Sequence, residues 1–197
     1  MTTFIDEEYI DRSFKGVKAL NQQLKFVEFE ACRFTNGTFR EASFHDCLFR
    51  DCLFKDCDLS LVQLKNSAFI STHFQACQIV GVNWSEANWD QRGFLKSVDF
   101  TQCVLNYSTF FGLDLHEASF TNCIAKEVDF AEANLTQANC TNTDFTGSRF
   151  HATNLSKADF RGATNYSIVP SANTLKKARF SLPEAVALLH GLDIVLE

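Results

Sequence analysis

The 197 residues carry 18 Lys and Arg against 24 Asp and Glu, for a formal net charge of −6. That balance lacks the basic excess a phosphate-binding surface needs and argues against a nucleic-acid binder. Hydrophobic residues make up 46%, with 21 Phe and only 2 Pro, which excludes a disordered tail or linker. No apolar run approaches the roughly 18 residues that cross a bilayer.

The opening segment, MTTFIDEEYIDR, has early acids in place of the basic start and apolar stretch of a secretory signal. Phe4, Tyr9 and Phe14 stand five residues apart. From Leu24 the same step of five meets a large apolar residue every time, through Phe29, Phe34, Phe39 and Phe44 as far as Trp84 and Trp89. Across Asp90–Ser97 the phase slips by one residue. The step then resumes at Phe100 and runs to Phe160, with only Ala125 and Cys140 small among its centres. Two residues before each centre the chain is small almost throughout, as at Cys32, Ala42, Cys47, Val82, Ala118 and Ala158.

A period of five fits neither the helical repeat of 3.6 nor the strand alternation of 2. It fits a backbone that turns a corner every five residues, with the bulky and the small residue inward and three residues outward. Four sides close a square coil of twenty residues, and successive coils stack like parallel strands about 4.8 Å apart. The 27 units, from Leu24 to Phe160, predict about seven coils and a body roughly 30 Å long.

AEANL at 131–135, ATNLS at 152–156 and KADFR at 157–161 carry the pattern most clearly. It resembles the pentapeptide repeat family. The resemblance implies an all-β solenoid, a right-handed quadrilateral β-helix, over roughly residues 24–163. Residues 1–23 are expected to form an N-terminal cap or a degenerate first coil, and 164–197 a C-terminal segment.

Seven of the eight cysteines (32, 47, 52, 57, 77, 103 and 123) take the small inward position, and Cys140 is a centre. We read them as reduced, buried, small residues, which makes a reducing compartment, the cytoplasm, the natural home. The C-x4-C-x4-C spacing of Cys47, Cys52 and Cys57 does not match paired zinc ligands. His45, His73, His116 and His151 fall on outward positions without a nucleophile or an orienting partner. No catalytic, cofactor-binding or metal-binding residues are expected, and the chain does not read as an enzyme.

The interruption at 90–97 reads as one extra residue bulging from an edge, with Asp90, Arg92, Phe94 and Lys96 as a possible contact loop. After Ala163 the repeat dissolves. Ser181 and Glu184 form a capping-box pattern with Pro183 between them, which predicts a short α-helix over about 182–192. ARFSLPEAVALLHGLDIVLE at 178–197 is similar to the ending of the Qnr and albicidin-resistance pentapeptide repeat proteins, and LSLVQL at 59–64 and VGVNWSEANW at 80–89 are similar to the latter. This resemblance implies a homodimer through Leu182, Val186, Leu189, Leu192 and Ile194. It also implies DNA gyrase or topoisomerase IV as the partner, bound by imitation of duplex DNA.

Between Asp99 and Phe160 there are eight acids and three bases. Stepping by twenty, with one added across the slip, gathers Asp46, Glu86 and Glu127 on one face. The same step gathers Asp51, Asp129 and Glu132 on its neighbour. These six are the expected partner-facing stripe.

Overall fold

A chain that sends two of every five side chains inward has to change direction once per unit. It does so at the residue two places after each centre, whose φ is positive in almost every unit: 54° at Asp46, 52° at Asp56, 53° at Asn122, 56° at Asn142. Left-handed backbone favours Gly, Asn and Asp. Many corners carry them, including Gly16, Asn21, Asn36, Asp51, Asn66, Gly81, Gly112, Gly147 and Gly162. The computed structural model describes Phe4, residues 7–89 and residues 98–192, without the side chains of His190 and Leu192.

The result is the expected quadrilateral parallel β-solenoid. Every strand pair is parallel, and the pairing step before the interruption is twenty residues, as in Tyr9 with Phe29, Phe29 with Phe49 and Phe49 with Phe69. Four columns of centres fill the interior. The longest runs through Phe14, Phe34, Phe54, Phe74, Phe100, Phe120, Cys140, Phe160 and Phe180. Its rings lie nearly parallel, with centroids 5.1 Å apart for Phe14 and Phe34, 4.6 Å for Phe34 and Phe54, and 5.2 Å for Phe100 and Phe120. Each buried ring contributes about 1.5–3 kcal/mol. Phe44, Leu64 and Trp84 are likewise buried on one face. Coil pairing is present on both sides of residues 24–163: Glu8–Ile10 and Ser13–Lys15 pair with Glu28–Glu30 and Arg33–Thr35, and Asp159–Phe160 with Arg179–Phe180. Eight steps along the Phe14 column, rather than seven coils, give a body of about 38 Å at ~4.8 Å per step.

The interruption differs from expectation. Phe74 pairs with Phe100, Gln78 with Val104 and Asn83 with Thr109. Each is a step of 26, so this coil holds six surplus residues and not one. Six is one pentapeptide plus one residue and leaves the same phase. Pairing is still regular at Asn88, whose N–H donates to Ser67 O at 2.9 Å, and Val98 already pairs with Thr72. The surplus therefore falls between them. Residues 90–97, with the expected contact loop, lie outside the described residues.

Each corner must also satisfy the carbonyl of the centre and the N–H three residues on, and it does so in one of two ways. In many units the two bond directly as a β-turn, as in Ala133 N–H to Phe130 O and Ala138 N–H to Leu135 O. Elsewhere a small polar side chain from the next coil stands between them. Thr143 Oγ1 donates to Phe120 O at 2.6 Å and accepts from Cys123 N–H at 3.0 Å. Ser108 serves Ile79 and Val82 in the same way, and Cys57 serves Phe34 and Gly37. The inward cysteines are thus hydrogen-bonding parts as well as small fillers. All eight are free and buried. Cys57, Cys77, Cys103 and Cys123 stand in one column, one coil apart, and each thiol donates to the backbone carbonyl of a centre in the coil below. The neighbouring thiol and burial push Cys77 and Cys103 up to about 12, which keeps them as unreactive thiols.

At the far end the repeat shortens, with Phe150 pairing with Ile168 after a step of 18. The expected α-helix is instead a 3-10 helix, Glu184–Leu192. Val186 N–H reaches back three residues to Pro183 O, the tighter pattern of that helix. The capping box does not form among these contacts. Ser181 Oγ accepts from Gly162 N–H at 2.9 Å in the coil below, so the hydroxyl is spent on the solenoid.

Candidate partner-binding surface

Because the long step is 26, the expected stripe divides differently from the sequence reading. Asp46, Glu86 and Glu132 share one vertical edge, following Asn66 and Gly112 through steps of 20 and 26. Glu127 belongs to another edge, above Glu41, Leu61, Gly81 and Tyr107. Asp51 lies on a third, above Asp11 and Ala31. Asp129 is on a flat face, paired in register with Thr109 below and Arg149 above. Four of the six, Asp46, Asp51, Glu127 and Glu132, are left-handed corner residues, so they project from edges.

Their electrostatic states also differ. Asp129 is held in a two-pronged contact by Arg149, at 2.9 and 2.5 Å, and accepts from Ala131 N–H. Burial works against its charge, but these bonds leave its carboxyl below the usual range. Asp46 touches Asn66 and lies 3.4 Å from His45. Glu86 accepts from Asn83 at 3.2 Å. Glu127, Glu132 and Asp51 are exposed and have no ion pair among the described residues.

Of the other acids beyond residue 98, Asp99 meets His73 at 3.1 Å, Asp144 meets Lys126 at 3.4 Å, and Asp159 meets Arg161 and Arg179. Of the eight acids from Asp99 to Phe160, Asp129, Asp144 and Asp159 are therefore neutralised in place by Lys or Arg. Sequence reasoning missed the opposite end, where Glu8 and Glu28 stand directly in register with Glu30 two residues along, all exposed. Stepping twenty from Glu8 would have found Glu28. Like charges facing each other weaken a sheet, and on the far side of Glu30 stands Arg50, in register with it.

Leu182 is 79% exposed and Val186 41%, while Leu189 is half-buried. Ile194 lies outside the described residues, and the side chain of Leu192 is not described. His45, His73 and His116 are outward beside carboxylates. Among the described residues no group of three or more His, Cys, Asp and Glu is arranged to hold a metal ion. Nor is any helix there long and apolar enough to cross a membrane.

The model of the pentapeptide repeat region matches residues 27–97 and 93–167. No curated protein sequence matches the chain. Among solved structures, a trypsin-treated variant of QnrB1, a plasmid-mediated fluoroquinolone resistance protein, superposes with a TM-score of 0.76 at 18% identity. The match covers 96% of this chain and 98% of that one. Full-length QnrB1 gives 0.60 at 18% identity, over 95% and 100%. HetL, a pentapeptide repeat protein involved in heterocyst differentiation regulation in the cyanobacterium Nostoc sp. strain PCC 7120, gives 0.62 at 15% identity, over 87% and 86%.

Proposed function

Since the chain belongs to the pentapeptide repeat family, we propose that it is a DNA-mimicking rod that binds a type II topoisomerase, DNA gyrase or topoisomerase IV. There it protects the enzyme from a poison such as albicidin, a peptide toxin or a quinolone. The observation that carries this reading is the projection of unpaired carboxylates from the edges of a quadrilateral solenoid, at Asp51, Glu127 and Glu132, with Asp46 and Glu86 less free. The likeness in shape to QnrB1 over nearly the whole chain supports it, as does the sequence similarity of the ending.

Duplex DNA carries about one charge per 1.7 Å, so a segment as long as this rod, about 38 Å, holds roughly twenty. A net charge of −6 cannot match that density. Imitation therefore rests on a few carboxylates held at fixed positions. The exposed Leu182 and Val186 support a two-fold homodimer through residues 164–197, which doubles the rod. Reduced buried thiols support a cytoplasmic location.

The test is a supercoiling assay with purified gyrase, with and without each poison. Protection, or inhibition at high dose, that weakens as salt rises is the expected result. No effect on gyrase or topoisomerase IV at any dose refutes the reading. It would favour the second one, an interaction rod for an unrelated protein, which the likeness to HetL supports.

A further inference from the structure

We propose that the edge bearing Leu61 and Tyr107, with Phe111 on the adjoining face, anchors the partner, and that it takes a protein surface presenting arginine among apolar groups. The proposal rests on the partner-binding reading above and names the part of the rod that makes the contact.

Corners are left-handed, and a bulky side chain there is locally unfavourable. Three corners nevertheless carry large apolar residues: Phe26, Leu61 and Tyr107, with φ of 55°, 58° and 61°. Folding gains little from them, since they are 64%, 45% and 62% exposed. Leu61 and Tyr107 share one edge with only Gly81 between them. Leu61 leans over that glycine so closely that a Cβ there would come within 2.7 Å of its Cδ2. Phe111, 43% exposed, belongs to the same coil as Tyr107, on the other side of Thr109. Beside it Gly112 is open, with nothing within 4 Å of where a Cβ would stand. The ground between the two aromatics and in the coil below is small and uncharged: Thr109, Asn83 and Ser85.

The unpaired charges beside Tyr107 and Phe111 are negative, and Lys65, in the coil of Leu61 and two coils below Phe111, is an exposed positive one. Glu127 is the next residue above Tyr107 on its edge. Glu132 and Glu86 flank Gly112 above and below on the opposite edge of the face. Glu127 and Glu132 have no ion pair among the described residues, whereas the nearby cations Lys126 and Arg149 are held by Asp144 and Asp129. An exposed aromatic ring beside an unpaired carboxylate suits a guanidinium, which stacks on the ring and bonds the carboxylate. Aromatic anchors of this kind carry much of the energy in protein interfaces. Phe26 stands one coil below Asp46, but that carboxylate is engaged by Asn66 and His45, the Phe26 ring lies 6.0 Å from that of His45, and Lys25 precedes it.

The test measures binding of purified gyrase to the immobilised protein at fixed salt. The variants are Tyr107→Asn with Phe111→Thr, and Phe26→Asn as a control. Asn is favoured at a left-handed corner and Thr is common just after a centre, so the folded state is preserved, which circular dichroism and a thermal melt verify. The double variant is expected to bind at least about ten-fold more weakly, and Phe26→Asn as tightly as the parent. If the parent binds and the double variant binds equally well, the anchor is wrong while the partner reading stands. If Phe26→Asn loses as much as the double variant, the location is wrong. If the parent does not bind, both the reading and the anchor fall.

Discussion

The coils before the long step and those after it share a period and a core but close their sides differently. Before it, three-residue strands such as Glu28–Glu30, Leu48–Arg50 and Leu53–Lys55 dominate. After it, beyond Val98–Thr101 and Ser119–Thr121, most pairing is by single bridges, and strands shrink to two residues, as in Asp159–Phe160. The residue just before the centre explains this. Beyond residue 98 it is Asp or Asn at 99, 114, 129, 134, 139, 144, 154 and 159, against only Asp58, Asn83 and Asn88 earlier. Apart from Asp99, which accepts from Ser119 N–H one coil on, those side chains accept from the backbone N–H two residues on, as Asn134 does from Thr136 and Asp144 from Thr146. This local bond draws the backbone out of the extended ladder into a turn. Leu48, Leu53 and His73, at the same position earlier, offer no carboxyl or amide oxygen for such a turn. The lesson concerns charge as much as shape: acids after the long step largely fix turns and ion pairs, and only a few remain for a partner.

The sharpest way to break the comparison is at the joint. Phe100 is the first described centre after the long step, stacked on Phe74 at 5.2 Å below and on Phe120 at 5.2 Å above. Because a solenoid's stability is close to a sum over neighbouring coils, Phe100→Ala should cost about 3–5 kcal/mol. It should also uncouple the halves. Urea unfolding followed by hydrogen exchange is expected to split into two transitions, with residues 24–80 protected separately from 98–160. A single transition with a loss below about 1 kcal/mol would show that Phe100 does not join them.

A smaller change exchanges the two kinds of relay. Thr143→Val removes the hydroxyl that serves both Phe120 O and Cys123 N–H, leaving two buried groups unpaired. A loss of about 1–3 kcal/mol is expected. Thr143→Cys imports the thiol relay of the earlier coils and should recover most of that loss. Cys57→Ser, the reverse exchange, should be close to neutral. Denaturant midpoints measure all three, and equal midpoints for Thr143→Val and Thr143→Cys would mean that the relay contributes nothing.

The period, the inward columns and the parallel stacking were legible because each depends on the character of single residues at a fixed spacing. The length of the long step was not, because insertions of one and six residues leave the same phase. That ambiguity also misplaced Glu127, Asp129 and Glu132 among the faces. The thiol relays were invisible because Cys57 serves a carbonyl at Phe34, 23 residues earlier, a relation that exists only once the coil step is known. The pairing of Asp129 with Arg149 is of the same kind, one coil apart. The left-handed corners leave a trace in the sequence, as Asn, Asp and Gly two places after the centre. Ser181 bonds to Gly162 one coil away, a tertiary contact that no local pattern announces.

The mildest test separates the two duties of an acid after the long step. Burial opposes ionisation of Asp144, but the Thr146 hydroxyl and N–H, the Asn165 amide and Lys126 together hold it down to about 2, against 3.8 unperturbed. A depressed carboxylate stabilises the fold above its unfolded value, and that stability is lost as pH falls through its folded value. The window is therefore about pH 4 down to about pH 2, and it contains at most about 2 kcal/mol. Asp144→Asn keeps an oxygen for the Thr146 turn and removes the charge. The variant should be less stable than the parent by about 1–2 kcal/mol at pH 7, with the gap narrowing below about pH 4 and closing near pH 2. A gap that stays constant across this range assigns the cost to the turn alone, and then the acids after the long step are shape-makers whose charge does no stabilising at all.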